Sequence, residues 1–271
     1  MNTFRFTSNL NSRMTSGKWK IVLSAIDGMS SKILVFETPE ELAVTAAERF
    51  VEYARETQGP FCVALAGGST PRRIYELLAT ESLNSRLDWS KVHLFFGDER
   101  AVPPDHPESN YRMVYETLIS KVPIPTTNVH RIPAEGDVNE NARLYENHLR
   151  SSFSGRSWPS FDLVLLGMGE DGHTASLFPN SEALNEKSRW VVATRNEQSG
   201  QDRITLTLPV FNQAKRVMFL VVGDKKAQRL KEVLRLQPAS EHLPAQAIKP
   251  ANGALEWLVD AAAASLLPSR S

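Results

Sequence analysis

Cysteine is nearly missing from this chain, which excludes a disulfide framework: the one thiol, Cys62, lies in the apolar run Phe61–Ala66, where it suits a small buried hydrophobe and a reducing compartment. The cytoplasm is the expected location. No apolar run reaches the roughly 18 residues of a membrane-spanning helix, so no membrane partner is expected. Charge of one sign is not in excess either, because 31 Lys and Arg face 31 Asp and Glu. No overall field draws the molecule to nucleic acid, and any anion site must be local. Internal repeats, low-complexity tracts and the His/Cys/Asp/Glu spacing of a zinc or iron site are also lacking, so neither metal nor cofactor is expected.

What is present is enough for one large domain, since 271 residues approach the upper size of a single core. The domain is expected over residues 31–271, as a monomer or small homo-oligomer. Residues 1–30 read as an N-terminal extension, with Arg5, Arg13, Lys18 and Lys20 and no acid before Asp27. A transit peptide has such a composition, but the poor apolar patterning favours a disordered tail or a start placed upstream of Met29.

From residue 32 onward, strand-like runs alternate with helical patterns. Strands are predicted at Ile33–Phe36, Phe61–Ala66, Val92–Phe96, Phe161–Leu166, Trp190–Thr194, Ile204–Leu208 and Val217–Val222, most of them too continuously apolar to leave a wet face. Helices are predicted at 39–57, 71–80, 108–120, 139–151, 224–236 and 253–267. The alternation implies an α/β fold, a doubly wound and mostly parallel sheet flanked by helices on both faces. Ligands of such sheets bind beyond the carboxyl ends of the strands.

Three loops at those ends carry chemistry. Strand 61–66 runs into Gly67, Gly68, Ser69, Thr70 and Pro71. The glycines let backbone approach a ligand, and the hydroxyls and first helical N–H groups can donate to phosphate oxygens. Thr70 suits the N-cap and Pro71 the first helical position, as they would in an ordinary βα turn too. The Lys-Ser/Thr pair that closes a nucleotide P-loop is missing. Strand 92–96 ends in Asp98, Glu99 and Arg100, where a guanidinium is a planar donor toward a carbonyl or carboxylate, and Ser109, Asn110 and Tyr111 are placed to hold that loop.

The third loop, Gly167-Met-Gly-Glu-Asp-Gly-His-Thr-Ala-Ser-Leu-Phe-Pro179, formally contains a dinucleotide fingerprint in Gly167, Gly169 and Gly172. Pro179 cuts short the helix that a nicotinamide-binding unit needs, so the glycines are read instead as backbone wrapped around a small ligand. Within them His173 can take a proton from water near neutral pH, with Glu170 or Asp171 to orient its ring. Farther along, Arg203 and Lys226 supply cations able to converge on a phosphate, and Lys225 is left outside.

Together these segments resemble the 6-phosphogluconolactonase family, within the glucosamine-6-phosphate isomerase/deaminase superfamily. The resemblance continues through Arg203-Ile-Thr-Leu-Thr-Leu-Pro209, Phe211-Asn212, Lys226-Ala227, Leu243-Pro-Ala245 and Trp257-Leu-Val-Asp-Ala-Ala262. It implies a substrate that is a phosphorylated sugar lactone, hydrolysis without metal, His173 as general base, a phosphate held by Gly68, Ser69, Thr70, Arg203 and Lys226, and Asp98 and Arg100 near the reacting end. Deaminase relatives continue from Gly-His with a stretch like Ile-Ala-Phe-Asn-Glu-Pro and carry an aromatic at the position of Arg100; this chain departs from them at both places. A deaminase-like enzyme and a non-catalytic sugar-phosphate binder are the alternatives to a lactonase.

Overall fold

In the computed structural model the described residues are 20–26, 29–234 and 243–268. Strands β1 (Lys20–Ile26) and β2 (Met29–Phe36) form a hairpin and α1 (Pro39–Glu56) follows. Then come β3 (Phe61–Leu65), α2 (Ser69–Leu78), α3 (Glu81–Asn84), β4 (Val92–Phe96), β5 (Asp98–Arg100) and α4 (Asn110–Thr117). The second half contains β6 (Val129–His130), α5 (Val138–Ser152), β7 (Leu163–Gly167), β8 (Val191–Asn196), β9 (Gln201–Leu206), α6 (Leu208–Phe211), β10 (Arg216–Val221), α7 (Ala227–Val233) and β11 (Ala254–Asp260). No described helix is long and apolar enough to cross a membrane.

The main sheet has eight strands in the order β1-β2-β11-β10-β7-β3-β4-β6, every pair parallel except the β1–β2 hairpin. From β3 the chain steps through β4 to β6, then returns to the other side of β3 with β7, β10 and β11. Right-handed crossovers therefore place helices on one face before the reversal and on the other after it. The contacts follow this rule: α1 packs on α2 and α2 on α4, whereas α5 packs on β8 and β9. The strand order reverses between β3 and β7, which is where a doubly wound sheet opens its ligand crevice.

The helices are started by local chemistry. Thr38 caps α1 in a reciprocal box with Glu41, Ser109 caps α4 and Asp137 caps α5, each satisfying an N–H that the first turn leaves free.

Three expectations need correction. Residues 253–267, read as a helix, supply β11, which lies between β2 and β10. Leu255, Trp257, Leu258 and Val259 are buried there, and the Trp257 ring stacks on Phe219 with centroids 3.9 Å apart. A short apolar run fits both periods, and two waiting ladder edges decide for the strand. The runs at 190–194 and 204–208 are not strands of the main sheet. They form an antiparallel hairpin, β8–β9, that pairs with β5 in a separate three-stranded sheet. Finally, the hairpin strand β1 falls within the segment set apart as an extension, while residues 1–19 and 27–28 lie outside the described residues.

Two tyrosines finish the central strands. The buried Tyr75 hydroxyl accepts from the Ala66 N–H at 3.1 Å and donates to the Ala66 carbonyl at 2.8 Å. Tyr145 does the same for Phe96, at 3.0 and 3.2 Å. Tyr75→Phe leaves both Ala66 groups without that partner, so the unfolding free energy in urea should fall by about 1–3 kcal/mol.

At the β6 edge, His93, His130 and His148 form a chain of ring nitrogens 3.1 and 2.8 Å apart. Burial, reinforced by the charges of His148 and His93, lowers the His130 pKa to about 4. In the unfolded chain it titrates near pH ~6.5, so between these values the unfolded state binds the extra proton. Stability should therefore be full above that window and decline as pH falls through it. Urea unfolding measured across the window should show a shallower decline for His130→Gln.

Candidate active site

The carboxyl ends of β3, β4 and β7 meet the small sheet around a cavity of ≈ 390 Å³. Gly67, Gly68, Ser69, Thr70, Asp98, Arg100, Gly169, His173, Arg203 and Lys226 all line it. Residues spread over more than half of the chain are thus brought to one place. Asp171 stands behind His173 rather than on the wall, and Lys225 and Glu170 lie outside.

The loop after β3 turns at Gly68, whose φ of +104° is a conformation that other residues rarely adopt. Helix α2 begins at Ser69 with Gly68 as its N-cap and no side-chain cap. Thr70 is therefore not the cap, and Pro71 lies deeper in the first turn than expected. The turn at Gly68 starts the helix two residues early, which points its free N–H groups and both hydroxyl-bearing residues at the cavity.

The loop after β7 is built around one ring. His173 Nδ1 lies 2.6 Å from Asp171 Oδ1, and the His173 backbone N–H donates to the same oxygen at 3.0 Å. A carboxylate can only accept, so Nδ1 carries a hydrogen, and in the neutral ring it is Nε2 that keeps the lone pair. Asp171, not Glu170, is the orienting acid. Burial pushes the Asp171 carboxyl up, but the bonds from His173 outweigh it and hold the group below its ordinary value. The Gly169 N–H donates to the His173 carbonyl at 2.8 Å, and Thr174 Oγ1 ties the loop to the Gly167 carbonyl. No helix follows, because the chain turns back through a Thr174–Leu177 bridge.

Ala175, at φ +48°, is held in the left-handed region, a strain typical of functional loops. The turn it makes aims the buried Ser176 hydroxyl at Asp98 Oδ2, 2.6 Å away. Sequence reasoning missed Ser176, as it missed Phe178 and Asn196, which also line the cavity. A small polar residue beside a motif histidine was the one available signal for Ser176. Asn196 comes from β8 and could not be placed without the small sheet.

The Asp-Glu-Arg segment is strand β5, not a loop. Arg100 faces Arg203 in register on β9. Arg100 donates to the Glu108 carbonyl at 2.9 Å and to Asn110 Oδ1. The buried Nε atoms of both arginines have no hydrogen-bond partner, and neither guanidinium makes an ion pair among the described residues. Burial, and then the charge of Arg100, lowers the Arg203 pKa below the usual guanidinium range. Two neighbouring half-buried cations without an ion-pair partner favour the arrival of an anion between them. Among the described residues no group of three or more His, Cys, Asp or Glu could hold a metal ion.

The profile of the glucosamine-6-phosphate isomerases/6-phosphogluconolactonase family matches residues 37–257. The chain belongs to that family. It is 41% identical to the 6-phosphogluconolactonase of Synechocystis sp. over 223 residues, 81% of this chain and 90% of that protein. The 6-phosphogluconolactonase of Haemophilus influenzae is 38% identical, with 86% of this chain and 98% of that one covered. Among solved structures, the 6-phosphogluconolactonase from Trypanosoma brucei superposes with a TM-score of 0.79 at 31% identity, covering 87% of this chain and 98% of that one.

A Cβ on Gly169 would lie 2.1 Å from His173 Nδ1 and 2.5 Å from Asp171 Oδ1. Gly169→Ala should thus displace the ring and its acid, lowering kcat by about 100-fold in steady-state assays while leaving the far-ultraviolet circular dichroism of the fold unchanged.

Proposed function

We propose that this chain is a 6-phosphogluconolactonase, which hydrolyses 6-phosphoglucono-δ-lactone to 6-phosphogluconate. One observation carries the reading: the Asp171–His173 pair opens onto the same cavity as Arg203, Lys226 and the start of α2. A base and a set of cations in one cavity suit a neutral reacting centre joined to a dianion.

A δ-lactone is an activated ester and needs three things: a deprotonated water, charge stabilisation at the carbonyl oxygen, and a proton for the ring oxygen. Gly68, Ser69, Thr70, Arg203 and Lys226 hold the phosphate through N–H, hydroxyl and charged donors. With that end fixed, C1 is presented to His173. His173 Nε2 takes a proton from water as its oxygen bonds to C1, and Asp171 stabilises the imidazolium. The oxyanion collapses, the bond from C1 to the ring oxygen breaks, and the same imidazolium returns its proton to that oxygen. The acid product then ionises, releasing one proton to solvent. Arg100 or the N–H groups of the 167–172 loop steady the oxyanion, and Asp98, an acceptor fixed by Ser176, orients sugar hydroxyls. The cytoplasm is the proposed setting, in line with the single thiol, and the active unit is a monomer or small homo-oligomer.

The test follows opening of freshly generated lactone in EDTA, with spontaneous hydrolysis subtracted. The wild type should accelerate it. His173→Ala should lose about 10²–10⁴-fold in kcat with little change in KM, whereas Arg203→Ala should chiefly raise KM. An unchanged kcat in His173→Ala would discard the base; no acceleration by the wild type would discard the activity and redirect attention to glucosamine 6-phosphate.

A further inference from the structure

Glu99 lies between two cavity residues on a three-residue strand, and side-chain alternation turns it away from the cavity. It is 2% exposed and makes no ion pair among the described residues. Its carboxylate is nevertheless fully engaged. Oε1 accepts from the backbone N–H groups of Arg100 at 2.8 Å and Asn110 at 2.7 Å. Oε2 accepts from the Tyr111 N–H at 2.8 Å and the Ser109 hydroxyl at 3.1 Å. Two donors on each oxygen fill the four lone-pair sites of an ionised carboxylate, and three of the four come from residues at the start of α4. Burial raises the Glu99 pKa above its ordinary value, and the N–H bonds from Tyr111, Asn110 and Arg100 work against that rise.

What hangs from this carboxylate is the cationic side of the site. The Asn110 side chain, fixed because its own N–H is bound to Glu99, accepts from the Arg100 guanidinium and donates to the Asp98 carbonyl and Oδ1, at 3.0 and 3.3 Å. On its other side it fills the space beside Gly67: a Cβ there would fall 1.9 Å from Asn110 Oδ1. Asn110 is therefore in contact with the guanidinium, the acidic wall and the phosphate loop at once.

We infer that Glu99 is a positioning residue of the active site, which locks β5 to α4 so that Asn110 sets the places of Arg100, Asp98 and the Gly67–Thr70 loop. It touches no substrate and acts through Asn110 and Arg100. This rests on the reading of Arg100 and Asp98 as substrate-facing groups given above. A residue of purely structural value would change melting temperature and leave ligand affinity alone, so the two roles separate experimentally.

The experiment is a double-mutant cycle read by calorimetric binding of 6-phosphogluconate to wild type, Glu99→Gln, Arg100→Ala and the pair, with lactone turnover measured in parallel. In Glu99→Gln an amide nitrogen must face a backbone N–H donor, and binding should weaken about tenfold to a hundredfold. In the Arg100→Ala background the same change should cost several-fold less than in the wild type, because part of its effect runs through Arg100. Wild-type affinity in Glu99→Gln, or losses that multiply in the pair, would overturn the inference. If Glu99→Gln does not fold, Glu99→Asp takes its place, keeping the charge while drawing the carboxylate back from α4. The binding arm is decisive even if the wild type opens no lactone, which separates failure of this inference from failure of the proposed activity.

Discussion

A parallel strand that runs past its neighbours leaves N–H and C=O groups which must find partners elsewhere. In this protein that constraint is met at the ends of β3 and β4 by tyrosine hydroxyls: Tyr75 accepts from and donates to Ala66, and Tyr145 accepts from Phe96 and shares its hydrogen between the Phe96 and His130 carbonyls. Both strands consequently stop at fixed points, and the segments that leave them, the Gly67–Thr70 turn and strand β5, start from rigid ground. The cavity lies where these two segments meet the loop after β7, beside the reversal of strand order. Its position follows from sheet topology, and its precision from these backbone anchors.

Charge inside the cavity is arranged in two opposed ways. The acids in and around it are held by neutral groups: Asp98 on the wall by Ser176 and Asn110, Asp171 behind the wall by His173, and Glu99, turned away from the cavity, by four donors. The cations are left under-satisfied, with buried Nε atoms on Arg100 and Arg203 that meet no acceptor. Carboxylates held by neutral donors keep their places without cancelling the guanidiniums. A site built this way presents net positive character to a ligand although the whole chain is balanced at 31 charges of each sign. The local field that the composition required is created by placement alone.

Much of this was legible before any coordinates. The strands at 61–66, 92–96 and 217–222 and the glycine loops stand out because continuous apolar runs end abruptly in Gly, Asp or Ser. The proposed base, both arginines and Lys226 were named from their chemistry, with two acids beside the base left as candidates, and the structure gathers the base and the cations around one cavity. What escaped did so for definite reasons. The run at 254–260 carries no mark separating a short buried strand from a helix, and only the open edges of β2 and β10 decide it. The hairpin of β8 and β9 looks like two more parallel strands until β5, three residues long, is seen to pair with it. Ser176, Phe178 and Asn196 gave no motif of their own.

The sequence by itself determined the α/β class, the family and the residues proposed as reactive groups, because these rest on residue type and on local spacing along the chain. Tertiary structure alone decided which acid bonds to His173, that Arg100 and Arg203 stand side by side, and that Asn110 joins β5, the Gly67–Thr70 turn and Glu99. The physical reason is range: a cap, a turn or an apolar run is settled within a few residues. A hydrogen bond or a shared charge between segments far apart in the chain exists only once the sheet has fixed the distance between them.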